Sequence, residues 1–278
     1  MGGCCSSQSQ QGHTEHNNLD RNKSQRQSNW TATGTIALRD SNLKALPSAA
    51  LGVGPAARVL DVTNNHLTYL PDQISSFINL SRLILASNQL NALPPCLSQL
   101  SSLKVLVLDN NQLTSLPSDI GQLSRLEKLS VKENALVTVP VSIKQLQKLS
   151  VLDLSANSLS ELTPAVAECS QLEELNVSNN DLQAIPSSLQ QLQKVKILNF
   201  SQNNITSVPS GILTGCQALH TLLLHSNPIS AQSFEATAGY QEFEQRRRTK
   251  YNKNIATGVS MGNGLQESVD RQLKPVQY

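Results

Sequence analysis

An α/β solenoid is the fold this sequence predicts. It should be a horseshoe of about nine coils, with a parallel sheet on the concave side and helical or 3-10 segments on the convex side. Three observations carry that expectation. Asparagine recurs at Asn65, Asn88, Asn111, Asn134, Asn157, Asn180, Asn203 and Asn227, at intervals of 23 residues with a final one of 24. Each lies in the phrase L-x-L-x-x-N-x-L or a close variant. Proline follows the last leucine of most units, at Pro47, Pro71, Pro94, Pro117, Pro140, Pro186 and Pro209. A fixed period of this length means stacked coils, each adding one short strand to a curved sheet.

The chain opens Met1-Gly2-Gly3-Cys4-Cys5-Ser6. This fits the N-myristoylation pattern, with Gly2 exposed once Met1 is removed and Ser6 at the required place. Cys4 and Cys5 stand beside it as expected palmitate acceptors. A single myristoyl chain binds membranes only marginally, with a constant of about 10⁴ M⁻¹, and a second chain makes the attachment durable. Ser, Gln, Asn and His dominate from residue 7 to about 29. So little apolar content cannot repay the entropy of ordering. Residues 1–29 are therefore expected to be an acylated, disordered tether, and Trp30 a plug on the open edge of the first coil.

Residues 30–230 carry the coils. In the unit from Leu103, the alternation of Leu106 and Leu108 about Val107 places the leucines on one face of a strand. Asn111 then enters the turn. Its amide offers both an acceptor and donors, so one side chain can satisfy buried backbone groups of its own coil and of a neighbour. The eight asparagines are expected to form a ladder along the array. Apolar pairs three apart, such as Ile120/Leu123 and Ile143/Leu146, suit a helical or 3-10 return arm. The first coil is a weak match, with Ser41 where asparagine is expected. The sixth reads Leu162-Thr163-Pro164, which predicts a turn displaced by one residue.

Beyond Asn227 the repeat stops. Residues 231–253 are expected to form a helical cap, with Tyr240 and Phe243 supplying apolar bulk. Arg246, Arg247, Arg248, Lys250 and Lys253 on this segment read either as a solvated face or as an auxiliary contact with anionic lipid. Residues 254–278 are expected to be a disordered tail.

Strand residues between the buried leucines should face the concave surface. The expected partner-binding set is Val59, Asp61, Arg82, Ile84, Val105, Val107, Lys128, Val151 and Asp153. It has apolar side chains at the centre and charges at the rim, the usual construction of a protein interface. The bland alternative is that β-branched residues are there because strands favour them.

Composition narrows the remaining classes. Net charge is +2 and aromatic residues make up 3% of the chain, so neither a phosphate footprint nor a base-stacking platform is expected, and no nucleic-acid partner. No apolar stretch is long enough to cross a bilayer, and no secretory signal is legible. Phosphate-loop, nucleophile-elbow and H-E-x-x-H patterns are all absent. The expectation is therefore no catalytic residue, no cofactor and no metal, with a cytoplasmic location.

The frame L-x-x-L-x-L-x-x-N-x-L-x-x-L-P-x-x-I-x-x-L, over about residues 33–230, resembles the intracellular leucine-rich repeat group related to Ras-pathway scaffolds. The segment Gly239-Tyr240-Gln241-Glu242-Phe243-Glu244-Gln245-Arg246, followed by a basic stretch, is also similar to members of that group. The Gly-Val-Tyr-Trp motif typical of plant members is not present. The resemblance implies a membrane-attached adaptor in signalling, with its partner open, and the first expectation is a monomer docking a small GTPase or a kinase or phosphatase component on the concave face. Its expected place is the cytoplasmic face of the plasma membrane, with a soluble pool where acylation is missing. The alternative function is a passive membrane-peripheral protein or an inhibitor occluding an enzyme surface.

Overall fold

The computed structural model describes residues 24–256. Gly2, Cys4 and Cys5, most of the expected tether and the segment from 257 onward lie outside the described residues.

Nine three-residue strands form one parallel sheet in chain order: β1 Thr35–Ala37, β2 Val59–Asp61, β3 Arg82–Ile84, β4 Val105–Val107, β5 Lys128–Ser130, β6 Val151–Asp153, β7 Glu174–Asn176, β8 Ile197–Asn199 and β9 Thr221–Leu223. From β2 onward the central leucine of each strand pairs with that of the next, Leu60 with Leu83, Leu83 with Leu106, and so on to Leu198 with Leu222, and Ile36 of β1 pairs with Leu60. All of these are at most 1% exposed, so a stack of leucines forms the spine of the core. A lone coil could not bury them, and stability accumulates from neighbour to neighbour.

The return arms are mostly single 3-10 turns, such as Asp72–Ser76, Pro95–Gln99 and Val141–Gln145. Prolines 71, 94 and 140 stand directly before them with extended backbones. The proline ring fixes φ there and gives up a donor that the first turn of a helix would leave unpaired anyway. Two arms are α-helical instead, α2 Ser48–Leu51 and α3 Ser210–Gly215. In both the spacing to the next strand is 24 residues, from Thr35 to Val59 and from Ile197 to Thr221.

The sixth coil departs from the expectation of a displaced turn. Its 3-10 segment, Pro164–Glu168, stays in register. Thr163 takes the place of the usual proline, and its hydroxyl accepts the Ala165 N–H at 3.4 Å. Pro164 occupies the first turn position, as Pro95 does in the third coil.

Both ends of the array are closed by helices. Residues 24–33 are helical (α1), so the expectation of a disordered segment reaching residue 29 does not hold for 24–29. The reason is local: Ser28, Thr31 and Thr33 hydroxyls bond back to carbonyls four residues earlier, and Trp30 packs on the core. Gly34, at φ +68, ends α1 and turns the chain into β1. Its carbonyl accepts from the N–H groups of Arg58 and Val59, and a Cβ there would crowd Arg58.

At the other end lie α4 Ala231–Glu235, capped by the Ser230 hydroxyl, and α5 Tyr240–Ala256. Phe234, Tyr240 and Phe243 meet edge-on, with ring centroids 5.2 and 6.3 Å from Phe234. Arg246 reaches under α5 to the Leu213 carbonyl at 2.6 Å and the Leu219 carbonyl at 3.1 Å. These carbonyls terminate α3 and precede β9, so Arg246 locks the cap to the last coil.

Candidate protein-binding face

The asparagine ladder sets the spacing of everything on the face. Each asparagine reaches back one coil. Asn88 Oδ1 accepts the Leu67 N–H at 3.0 Å, and its Nδ2 donates to Val62 and Leu85 carbonyls at 3.0 Å. The same triad of contacts recurs at Asn111, Asn134, Asn157, Asn180, Asn203 and Asn227. In the first junction Asn65 Oδ1 accepts from both Ser41 and Leu43 N–H groups, which compensates for the missing asparagine in coil one.

With register held that rigidly, the outward positions of successive strands form columns. The first column reads Val59, Arg82, Val105, Lys128, Val151, Glu174 and Ile197. The next reads Asp61, Ile84, Val107, Ser130, Asp153, Asn176 and Asn199. Val59, Ile84, Val105, Val107 and Val151 are half-buried, with side chains outside the leucine core. Arg82 and Lys128 are exposed and have no ion-pair partner among the described residues. Their neighbours are neutralised: Lys104 pairs with Glu127 at 2.8 Å and Lys132 with Glu133 at 3.0 Å.

Asp61 differs from the expected exposed rim. It is 5% exposed and already engaged, accepting from Arg39 Nε at 2.7 Å and from the Thr63 hydroxyl at 2.7 Å. Burial alone would raise its carboxyl, but Arg39 and Thr63 together hold it below the usual aspartate value. It is a structural group, not a contact residue.

The far half of the face carries a feature that the coil-by-coil reading missed. Asp153 accepts from the Ser155 hydroxyl at 2.6 Å, Asn176 from the Ser178 hydroxyl at 2.8 Å, and Asn199 from the Ser201 N–H at 3.1 Å. Asn176 also donates to Asp153 at 3.2 Å, and Ser201 meets His225 at 2.8 Å. The signal was present as [D/N]-x-S at positions 153, 176 and 199, one repeat apart. Over β3–β5 the concave face joins apolar side chains to the cations Arg82 and Lys128, with Asp109 engaged by the Ser130 hydroxyl at 2.6 Å and the Lys132 N–H at 3.0 Å, and over β6–β8 it is polar and self-bonded.

The basic run of α5 is also committed. Arg247 and Arg248 both donate to the buried Glu244, each at 2.7 Å, and Arg246 is spent on backbone carbonyls. Arg246 and Arg247 thus carry structural duties, while Arg248 stays 75% exposed beside Glu244. Glu244 is held below the usual carboxylate range, first by Arg247 and then by Arg248, against burial. His220 is pushed down by burial and by nearby Lys250 and Lys196. Among the described residues no group of three or more His, Cys, Asp or Glu could hold a metal ion. No described helix is long and apolar enough to cross a membrane.

The family model described as leucine rich repeat matches residues 78–136, 101–159, 124–182 and 170–229. A rice protein (Oryza sativa subsp. japonica), plant intracellular Ras-group-related LRR protein 7, is 61% identical over 269 residues, covering 96% of this chain and 99% of its own length. The chain belongs to the intracellular Ras-group-related leucine-rich repeat proteins. Membership does not depend on the Gly-Val-Tyr-Trp motif that this leucine-rich repeat protein lacks. Among solved structures, an internalin of Listeria monocytogenes superposes with a TM-score of 0.65 at 24% identity, over 74% of this chain and 58% of that one. That likeness shows the fold. The PEPR1-AtPEP1 structure matches with a TM-score of 0.57 at 26% identity, over 71% of this chain and 32% of that one. Leucine-rich repeat proteins of this kind are typically protein-binding scaffolds.

Proposed function

We propose that this leucine-rich repeat protein is a monomeric, lipid-anchored adaptor that docks a signalling protein on its concave face. The anchor consists of a myristoyl group on Gly2 and palmitoyl groups on Cys4 and Cys5, which hold the chain at the cytoplasmic face of the plasma membrane. The partner is a small GTPase or a component of a kinase or phosphatase. The single observation that carries the reading is the half-exposed cluster Ile84, Val105 and Val107, flanked by Arg82 and Lys128, cations with no ion-pair partner among the described residues. Apolar side chains held outside a complete core, with charges beside them, are what a protein interface requires.

Proximity labelling in cells tests it, comparing the native chain with a Val105→Asp/Val107→Asp variant. Loss of one dominant labelled protein is the expected result. An unchanged set of labelled proteins excludes the concave face as the docking surface.

A further inference from the structure

The first column of the concave face alternates without a break: Val59, Arg82, Val105, Lys128, Val151, Glu174. Apolar and charged side chains therefore occupy alternate strands. We propose that this column seats one amphipathic α-helix of the protein partner, laid along the solenoid axis, with acidic residues on the turns that meet Arg82 and Lys128. The inference deepens the concave-face reading above and rests on it.

Spacing favours a helix. Adjacent strands lie about 4.8 Å apart, and a helix advances about 5.4 Å per turn, so each turn meets roughly one strand. Over the five strands from Val59 to Val151 the accumulated mismatch is about 2–3 Å, within reach of flexible Arg and Lys side chains. Width agrees as well, because a strand of three residues spans about 10 Å, close to the diameter of a helix with its side chains.

Hydrogen bonding argues against an extended occupant. The backbone groups of β2–β8 are used on both sides by the parallel ladder. An extended chain lying across them would find no backbone groups free to pair with its own N–H and C=O groups, whereas a helix arrives already satisfied. Charge then fixes composition. Beside the column, Lys104 and Lys132 are cancelled by Glu127 and Glu133, while Arg82 and Lys128 within it have no ion-pair partner among the described residues. Asp61, the nearest carboxylate at the amino-terminal side, is sequestered by Arg39. Glu174 has the opposite sign, so a helix with acidic turns followed by a basic one can dock in a single direction.

The test uses the full chain and a displayed library of α-helices randomised along one face. Native protein should enrich helices alternating Asp or Glu with Leu, Ile or Val on successive turns. An Arg82→Glu/Lys128→Glu variant should enrich Lys or Arg at those same turns, and should bind the native-selected helices roughly tenfold or more weakly. Both side chains are exposed and have no ion-pair partner among the described residues, so the variant should keep the native thermal midpoint, which is measured alongside. Identical enrichment by the two proteins, or enrichment by neither, overturns the helix proposal. If the Val105→Asp/Val107→Asp variant nevertheless loses its labelled partner, the face still docks a protein and only the helix and its charges are wrong.

Discussion

The side-chain oxygen of Asn134 accepts the backbone N–H of Leu113, one coil earlier, at 3.0 Å. Its amide nitrogen meanwhile donates to the Leu108 carbonyl of the earlier coil and to Val131 and Lys132 carbonyls of its own. One residue thus ties two turns together. Asn134→Ala leaves those groups unpaired and should cost about 1–3 kcal/mol, read from urea denaturation. Asn134→Asp retains the acceptor but sets a charge against three carbonyls, and should cost no less. A midpoint unchanged in both variants would contradict the ladder.

The residue before each ladder asparagine has a left-handed backbone, with φ between 53 and 57° from Asn64 to Ser226. Asparagine holds that place at 64, 110 and 179, but alanine holds it at 156. Ala156→Asn should stabilise the protein by about 0.5–1 kcal/mol, since asparagine tolerates this conformation where alanine is strained. Its amide would also lie one coil from Glu133, as that of Asn64 lies beside Asp40 at 2.6 Å. A lower denaturation midpoint would refute this.

Asp61 gives the first junction a pH dependence. Its folded-state carboxyl is depressed, so the stability it contributes is fully present above the ordinary aspartate value, about pH 4, and is lost as pH falls through the lower folded value. Thermal midpoints of the native chain and of Asp61→Asn should differ most near neutrality and converge below about pH 4. A constant difference across that range would show that the Arg39 pair is not responsible.

Cys169 and Cys216 are fully buried, and each thiol donates to the carbonyl one coil earlier, Ile143 at 3.3 Å and Leu189 at 3.2 Å. Burial pushes these thiols up to about 12 and about 11. Alkylation of the folded chain should modify Cys96, which is half-buried, before either of them. Equal rates at all three would mean that the return arms open readily.

The anchor has its own test, independent of the face. Gly2→Ala should move the protein from the membrane to the soluble fraction on cell fractionation, because palmitoylation follows the first acyl chain. Replacing Cys4 and Cys5 together should leave weak, reversible attachment. Retention of Gly2→Ala on membranes would remove the lipid anchor from the proposed function.

The strands and the columns they generate were legible because the strand period of two and the repeat of 23 residues are both written in leucine. Val105, Val107 and Arg82 fall where alternation puts them. What the sequence hid were relations between coils whose partners lie far apart along the chain. Arg39 reaching Asp61 spans 22 residues and turns an expected contact residue into a buried one. Arg246 reaching the Leu213 carbonyl spans 33, and nothing in a run of arginines distinguishes the one that clamps the cap from the two that pair with Glu244. Helix α1 was missed for a related reason. Its Ser, Asn and Thr residues are weak helix formers, and contact of Trp30 with the core supplies what propensity does not.

The junctions between coils two and eight are interchangeable, each pairing the same three strand positions and closing on the same asparagine amide. Excising residues 101–123 would splice one such junction to another and leave both terminal helices and the Arg246 clamp undisturbed. A shorter arc should fold from that chain, yet it would bring Arg82 directly beside Lys128 and break the alternation between them. Architecture in this molecule tolerates a change in copy number, whereas its recognition pattern is bound to one phase of the count.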